Sequence, residues 1–232
     1  MPSEFTGAWQ ARGHVAARVR PLDSIDLGII ARHSAKRTNG VIASLKNGTP
    51  MRWRRLAERD LMLLLEVDAD VVGYHSLPER VEYVLDGKPR RHVPAVGVHT
   101  DHGPLVMDVF PDTGEHAPWY RVLAEVVRAI YARRGVRYAV LTPAEVRLEP
   151  RFGNALHVLD HRALRPGQGD QLRVVEALTR RGGSATVAEL RGMLGDGAEA
   201  VFPMALRRAL SLDLSAPEPS RIRAFLRAGG LT

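Results

Sequence analysis

Most of the residues suited to chemistry lie in the segment 90–111, RRHVPAVGVHTDHGPLVMDVFP, and one more lies on an earlier helix. The apolar runs on either side of HTDHG predict two short strands joined by a polar turn. Asp108 lies on the returning strand, and Glu58 lies in the first turn of a helix predicted over 56–70. Carboxylates of this kind hold Mg²⁺ for phosphodiester hydrolysis, together with a group that orients or deprotonates the attacking water.

The same segment contains a second set of possible metal ligands: His92, His99, Asp101 and His102. The turn HTDHG resembles a metal-binding turn because His99 and His102 are three residues apart. A solvated turn between two strands explains the same residues more simply, and we favour it. A shift of catalysis to Asp112 or Glu115 is a further alternative, but no spacing supports it.

The surrounding pattern predicts the elements that would position these residues. Apolar residues recur with helical spacing over 56–70 and 119–135. The run VEYVL, the DG turn at 86–87 and the segment 90–111 predict three adjacent antiparallel strands, a meander. VRYAVLTP (136–143) predicts one more, buried strand. This order of elements predicts an α/β fold with a sheet layered between helices.

The composition changes near residue 166, at RPGQGD, where proline and glycine predict a domain boundary. Three short helical patterns and an extended tail follow, the order of a winged helix-turn-helix domain. A small helical bundle without a ligand is the alternative. The predicted domains are an N-terminal arm with a short helix (1–33), an α/β domain (34–165) and a winged-helix domain (166–232).

The excess of basic over acidic residues favours a polyanionic partner. The 232 residues include 33 basic and 26 acidic side chains, a formal charge of +7. A basic balance favours nucleic acid, although an arginine-rich composition produces the same charge without any ligand. The absence of cysteine excludes disulfides and thiolate metal sites. Without a long apolar run or an apolar leader, we expect a cytoplasmic protein with no membrane partner.

Residues 56–111 resemble the nuclease domain of TnsA-type transposon endonucleases, and the likeness extends over about residues 34–225. That family has a helix glutamate, a Gln-Pro, a Pro-Asp and an acid-x-Lys in this order. They match Glu58, Leu77–Pro78, Pro94–Ala95 and Asp108-Val109-Phe110. The resemblance implies a restriction-endonuclease-like mixed sheet flanked by helices, followed by a small winged helix-turn-helix domain.

The sequence differs from that pattern at the positions of two catalytic residues. Ala95 stands where the family has a metal-binding aspartate, and Phe110 stands where it has the lysine that activates water. Glu58 and Asp108 alone would make a poor Mg²⁺ site, because Mg²⁺ prefers near-octahedral oxygen coordination. Aspartate to alanine is a usual engineered inactivation, but lysine to phenylalanine is not. We therefore interpret the centre as inherently degenerate, with no catalytic residue, metal or cofactor.

The resulting hypothesis is a non-catalytic DNA-binding protein, a transcriptional regulator or DNA-recruitment factor. Its partner would be double-stranded DNA, with a polymerase, a transposase or a second copy of the chain as further partners. The predicted phosphate contacts are Arg52, Arg54, Arg55, Arg90, Arg91, Arg191, Arg207, Arg208, Arg221 and Arg223, with Arg207 and Arg208 on a third, reading helix and Arg221 and Arg223 on a wing. One alternative is an active Mg²⁺-dependent endonuclease subunit of a transposon-like system with an altered active site. The other is a protein-interaction scaffold.

Overall fold

The structure, a computed structural model, describes residues 17–22, 38–111 and 113–227. The strands in these ranges are β1 (Ala17–Pro21), β2 (Gly40–Ala43), β3 (Pro50–Trp53), β4 (Val71–Ser76), β5 (Glu79–Leu85), β6 (Lys88–His92), β7 (Val96–Thr100), β8 (Gly103–Val109), β9 (Arg137–Leu141), β10 (Ser184–Thr186), β11 (Leu210–Asp213) and β12 (Arg223–Leu226). The α-helices are α1 (Leu56–Val67), α2 (Ala117–Ala132), α3 (Pro143–Val146), α4 (Arg151–Asp160), α5 (Gln168–Arg180), α6 (Val187–Leu194) and α7 (Val201–Leu206). Two 3₁₀ turns span Gly195–Ala200 and Pro219–Arg221. The short helix predicted within 1–33 lies outside the described residues.

A four-stranded mixed sheet of order β4-β7-β8-β9 forms the centre of the N-terminal lobe, by which we mean the described residues up to 146. β4, β7 and β8 are successively antiparallel, and β9 runs parallel to β8. Parallel neighbours need a crossover connection, and α2 supplies it between β8 and β9. The predicted mixed α/β class is confirmed.

The predicted meander is wrong, because the run 90–98 is not one strand. β6 ends at His92 and pairs with β5 in a separate sheet of order β1-β5-β6, whereas β7 begins at Val96 and pairs with β4 and β8. Pro94 lies between them and has no N–H to donate to a ladder, so pairing stops there. The DG turn between β5 and β6 is confirmed, with φ of 52° at Asp86 and 70° at Gly87.

Strand β1 lies within the predicted N-terminal arm (1–33). Ala17–Pro21 pairs antiparallel with Glu79–Tyr83 of β5 and so adds a third strand to the β5–β6 hairpin. The sequence ARVRP gives little strand signal by itself. Its pairing with β5 depends on a segment far along the chain, which a local pattern does not reveal.

The two predicted long helices are confirmed, and each covers one face of the four-stranded sheet. The apolar stripe of α1 packs with β4, β7 and the side chains of Met107 and Val109 on β8. The stripe of α2 packs with Val106 and Tyr138 on the opposite face, together with β5. Successive residues of β8 therefore enter different cores. α1 ends at Val67 rather than 70, because the Asp68 carboxylate accepts the N–H of Asp70 (2.9 Å) in a turn.

The C-terminal lobe, from residue 151 onwards, contains α4 to α7 and an antiparallel sheet of order β10-β12-β11. A capping box opens α6: the Glu189 N–H donates to Thr186 Oγ1 (3.2 Å), and the Thr186 N–H donates to Glu189 Oε2 (2.7 Å). Every residue of α7 is buried. This third helix of the lobe after residue 166 thus offers no exposed face to a ligand.

The two lobes share a hydrophobic cluster that crosses the predicted boundary at residue 166. Val67 at the end of α1 and Ala155, Val158 and Leu159 of α4 belong to the same cluster as the core of the C-terminal lobe. The buried Asn154 side chain also donates to the carbonyls of Leu214 (2.8 Å) and Ala216 (2.7 Å) in the β11–β12 connection. The end of α1 therefore joins the two lobes, and α4, although it precedes the predicted boundary, belongs to the core of the C-terminal lobe.

Within the described ranges, no helix is long and apolar enough to cross a membrane.

Candidate functional site

Asp108 is buried near the end of β8, with 2% of its surface exposed. Its Oδ1 accepts the N–H of Ala95 (2.9 Å). Its Oδ2 accepts the Tyr138 hydroxyl (2.7 Å) and shares a hydrogen bond with His92 Nε2 (2.7 Å). These partners come from β6, from the entry to β7 and from β9. The carboxylate therefore joins the sheet β1-β5-β6 to the four-stranded sheet and has a polar partner at each oxygen.

Tyr138 is a partner of this centre that the sequence analysis missed. It stands opposite Val106 in the parallel β8–β9 ladder, so its side chain shares a face with Asp108. Burial raises the pKa of its hydroxyl, and the neighbouring Asp108 raises it further. The hydroxyl consequently stays a proton donor. The parallel register between β8 and β9 was the missing information, and a single sequence does not supply it.

Phe110 occupies the position two residues beyond Asp108, and its ring is buried. It stacks on Tyr120 of α2, with ring centroids 4.9 Å apart, and meets the edge of the His92 ring at 5.7 Å. An aromatic stack thus fills the place that the family resemblance gives to a lysine. Phe110 itself carries no group that could deprotonate water.

Glu58 is also buried, at 2% exposure, in the first turn of α1. Arg54 donates to it from Nη2 (2.8 Å), from Nε (3.1 Å) and from its backbone N–H (2.8 Å). The Nη1 of the same guanidinium donates to the carbonyl of Val93 (2.9 Å). Arg54, predicted to contact phosphate, is therefore bound to a carboxylate inside the lobe.

The two remaining acids, Glu58 and Asp108, are both linked to the short segment 93–95. Arg54, which holds Glu58, binds the Val93 carbonyl, and Asp108 binds the Ala95 N–H. Mg²⁺ requires several oxygen ligands in octahedral geometry. Both oxygens of Asp108 accept hydrogen bonds, a guanidinium holds Glu58, and the side chains of Ala95 and Phe110 carry no ligand atom. These residues do not fit the magnesium ion that the resemblance implies.

The histidine turn is not arranged as a metal site. Asp101 accepts from Arg208 Nη2 and Arg227 Nη2, both at 2.6 Å, and the Arg208 hydrogen bond is the first cause of its lowered pKa. His99 stacks with His75 at 5.9 Å between ring centroids. Burial lowers the pKa of His75, and His99 lowers it further. His92 points instead to Asp108. In the described part of the chain, no group of three or more His, Asp or Glu side chains could hold a metal ion.

The predicted phosphate contacts of the N-terminal lobe lie around the segment 93–95. The Arg54–Val93 hydrogen bond brings the β3–α1 connection, which carries Arg55, beside the end of β6. On β6, Arg90 and Arg91 are exposed. Among the described residues, neither Arg91 nor Arg55 has an ion-pair partner, and the same holds for Arg52 on β3. These side chains keep their charge available to an external anion.

The predicted contacts of the C-terminal lobe are mostly engaged inside the protein. Arg191 pairs with Glu199, and Arg221 pairs with Glu218 (3.1 Å). Arg207 donates to the carbonyls of Pro203 (2.7 Å) and Leu164 (3.1 Å). Arg223 is exposed on β12 and makes no ion pair with the described residues.

The expectation that Arg207 and Arg208 lie on the third helix is wrong. α7 ends at Leu206, with Arg207 as its C-cap, and Arg208 follows in a left-handed conformation (φ 63°). There Arg208 reaches the other lobe, donating to the Ala69 carbonyl (2.9 Å) as well as to Asp101. Arg221 lies in the 3₁₀ turn before β12, and Arg223 lies on β12, the second strand of the antiparallel pair β11–β12. Helical spacing gives no information about this contact of Arg208 with the other lobe.

Of the two alternative acids, Glu115 is exposed before α2, and Asp112 lies outside the described residues. Among the described residues, Glu115 makes no hydrogen bond or ion pair with Asp108 or Glu58. Comparison of the chain with known protein families and with curated proteins finds no match. A functional interpretation therefore depends on the geometry of the Asp108 centre and of the surface around it.

Proposed function

We propose that this chain is a non-catalytic DNA-binding protein built on a TnsA-like, restriction-endonuclease-like core with a winged-helix second domain. The mixed sheet β4-β7-β8-β9, with α1 before it and α2 before its parallel strand, agrees with the core that the resemblance implies. The helices α5 to α7 and the sheet β10-β12-β11 agree with a winged helix.

The observation that carries the proposal is that Glu58 and Asp108, the two acids left from the matched pattern, already accept hydrogen bonds from protein groups. Asp108 is enclosed by Ala95, His92 and Tyr138, and Glu58 is held by Arg54. A metal ion would have to displace buried hydrogen bonds, and each buried donor left without a partner costs about 1–3 kcal/mol. A fold that encloses its acids in this way favours binding over hydrolysis.

The charges near the segment 93–95 support DNA as the ligand. Arg52, Arg55 and Arg91 have no internal ion-pair partner among the described residues. Arg55 follows Arg54, which binds the Val93 carbonyl, and Arg91 lies on the strand that leads into this segment. Arginines of this kind bind phosphates without reading sequence. Because α7 is buried, base reading through a third helix in the major groove is disfavoured. The arrangement therefore favours a DNA-recruitment factor over a sequence-specific regulator.

The salt dependence of duplex binding tests this proposal. We expect Arg55→Gln/Arg91→Gln to lower the slope of log K against log[salt] by about 2, since each phosphate contact contributes about 1. Arg191→Gln/Arg221→Gln is the matched control, because it removes the same charge from arginines that already pair with Glu199 and Glu218. Fluorescence anisotropy of a labelled duplex at several salt concentrations measures both.

The proposal fails if the protein binds no duplex at low salt. If the two double variants show equal slopes of log K against log[salt], the protein still binds DNA. The arginines of the N-terminal lobe are then not its contact surface. A larger effect from Arg191→Gln/Arg221→Gln would transfer the contact to the C-terminal lobe.

A further inference from the structure

We infer that Trp119, together with Arg90, forms a stacking site for an unpaired base of DNA beside the Asp108 centre. This inference rests on the proposed function and specifies the form of DNA that the surface accepts. The site combines an exposed aromatic ring, a guanidinium stacked on it and a neighbouring row of three aromatic rings, of which Phe110 is buried.

Trp119 presents its ring at the protein surface. It lies in the first turn of α2, and 37% of its surface is exposed. Arg90 of β6 places its Cζ 5.2 Å from the centroid of the indole ring. A guanidinium in this position is attracted to the ring face and holds the side chain in place. One end of α2 and strand β6 thus share an ordered, planar surface.

The Asp108 centre lies directly beside this surface. Arg90 and His92 are alternate residues of β6, so their side chains are on the same face. His92 contacts both Asp108 and the ring of Phe110. Tyr120, the residue after Trp119, stacks on Phe110. The exposed pair Arg90–Trp119 is therefore continuous with the rings that fill the centre.

The positive charge and the flat ring of the Arg90–Trp119 pair determine which ligand fits. A cationic ligand is disfavoured, because Arg90 already supplies a cation to the indole ring and Lys88 adds a second positive charge on the same face of β6. A planar, uncharged ring attached to an anionic backbone fits both features. Nucleobases stack on aromatic side chains and on arginine in this manner, with little dependence on sequence.

Base pairing decides which DNA can use the site. In an intact duplex each base face is covered by its neighbours, so only a base at a fork, a gap or a single-stranded end can stack on a protein ring. The inference is thus that the protein prefers DNA with an unpaired segment over a blunt duplex of the same length.

The experiment compares a forked duplex with a fully paired duplex of equal length and charge, using fluorescence anisotropy at one salt concentration. We expect the wild-type protein to favour the forked DNA, and Trp119→Leu to weaken forked-DNA binding about tenfold. Binding to the blunt duplex should change less than about twofold. Phe225→Leu is the matched control, because Phe225 is equally exposed, at 37%, in the other lobe. Arg90→Lys, which keeps the charge but removes the planar group, should produce a smaller loss on forked DNA.

Equal affinity of the wild-type protein for the two DNAs would overturn the inference and leave the proposed function in place. An equal loss on both DNAs in Trp119→Leu would do the same, because it would assign the residue to the duplex surface. Absence of binding to either DNA would overturn the proposed function as well. A circular dichroism spectrum that matches the wild type establishes that Trp119→Leu is folded.

Discussion

Two aspartates at opposite ends of one strand, β8, show how differently the same group is used in this protein. Asp108 is buried near the end of the strand, and its partners are a tyrosine, a histidine and a backbone N–H of its own lobe. Asp101 is in the turn before β8, with 36% of its side chain exposed, and its partners are Arg208 and Arg227 of the other lobe.

The difference concerns what each carboxylate holds together. Asp108 connects β6, β7 and β9, so its hydrogen bonds are part of the packing of the N-terminal lobe. Asp101 connects the lobes through charge at a solvated surface. Buried hydrogen bonds are costly to break because the remaining partners find no water, whereas exposed ion pairs are weak and screened by salt. Neither aspartate is arranged as a metal ligand.

Replacing Asp108 should have the largest effect on stability. In Asp108→Ala the Tyr138 hydroxyl and the Ala95 N–H lose their acceptor in the interior. We expect the free energy of unfolding to fall by about 3 kcal/mol. Urea denaturation followed by circular dichroism measures this loss, which should be the same at low and at high salt. A loss well below 1 kcal/mol would mean that the hydrogen bonds of Asp108 do not stabilise the N-terminal lobe, and that the buried Asp108 does not differ from the exposed Asp101 in this respect.

Replacing Asp101 should have a smaller effect that depends on salt and pH. Asp101→Asn removes the charge between Arg208 and Arg227, so the wild-type advantage should be present at low salt and vanish near 1 M NaCl. The pKa of Asp101 is lower in the folded protein than its ordinary value of 3.8. Its stabilising contribution is therefore complete above pH 3.8 and disappears as the pH falls through the folded value. Urea denaturation of both proteins over this range checks the sign, and an advantage that persists in acid or in high salt would contradict it.

The sequence predicts the parts of this structure that depend on neighbouring residues. The helices α1 and α2, the DG turn and the Thr186–Glu189 capping box follow from spacing and residue type. Pro94 carried a local signal for the end of β6, which the continuous β-rich pattern on both sides concealed. Ala95, where the resemblance implies an aspartate, lies next to Asp108 and donates a hydrogen bond to it.

The parts that the sequence does not predict depend on pairs of distant residues. Tyr138 reaches Asp108 only through the parallel register of β8 and β9, and β1 pairs with β5 across a long connection. The spacing of Arg208 favoured a helical DNA contact, whereas its left-handed backbone directs it to Asp101. Charge and spacing indicate which arginines could bind an external phosphate. Only the folded structure shows whether such an arginine is already bound to a group within the protein.

The most direct test of the central claim is incubation of the protein with end-labelled DNA and Mg²⁺ or Mn²⁺, with the bound fraction and the length of the DNA read from the same sample. Asp108→Asn, which keeps the shape of the side chain, is prepared in parallel to reveal any contaminating nuclease. We predict a complex that contains only full-length DNA, with either metal and with both proteins. Metal-dependent cleavage by the wild-type protein that is absent from Asp108→Asn would contradict the account and identify an active endonuclease.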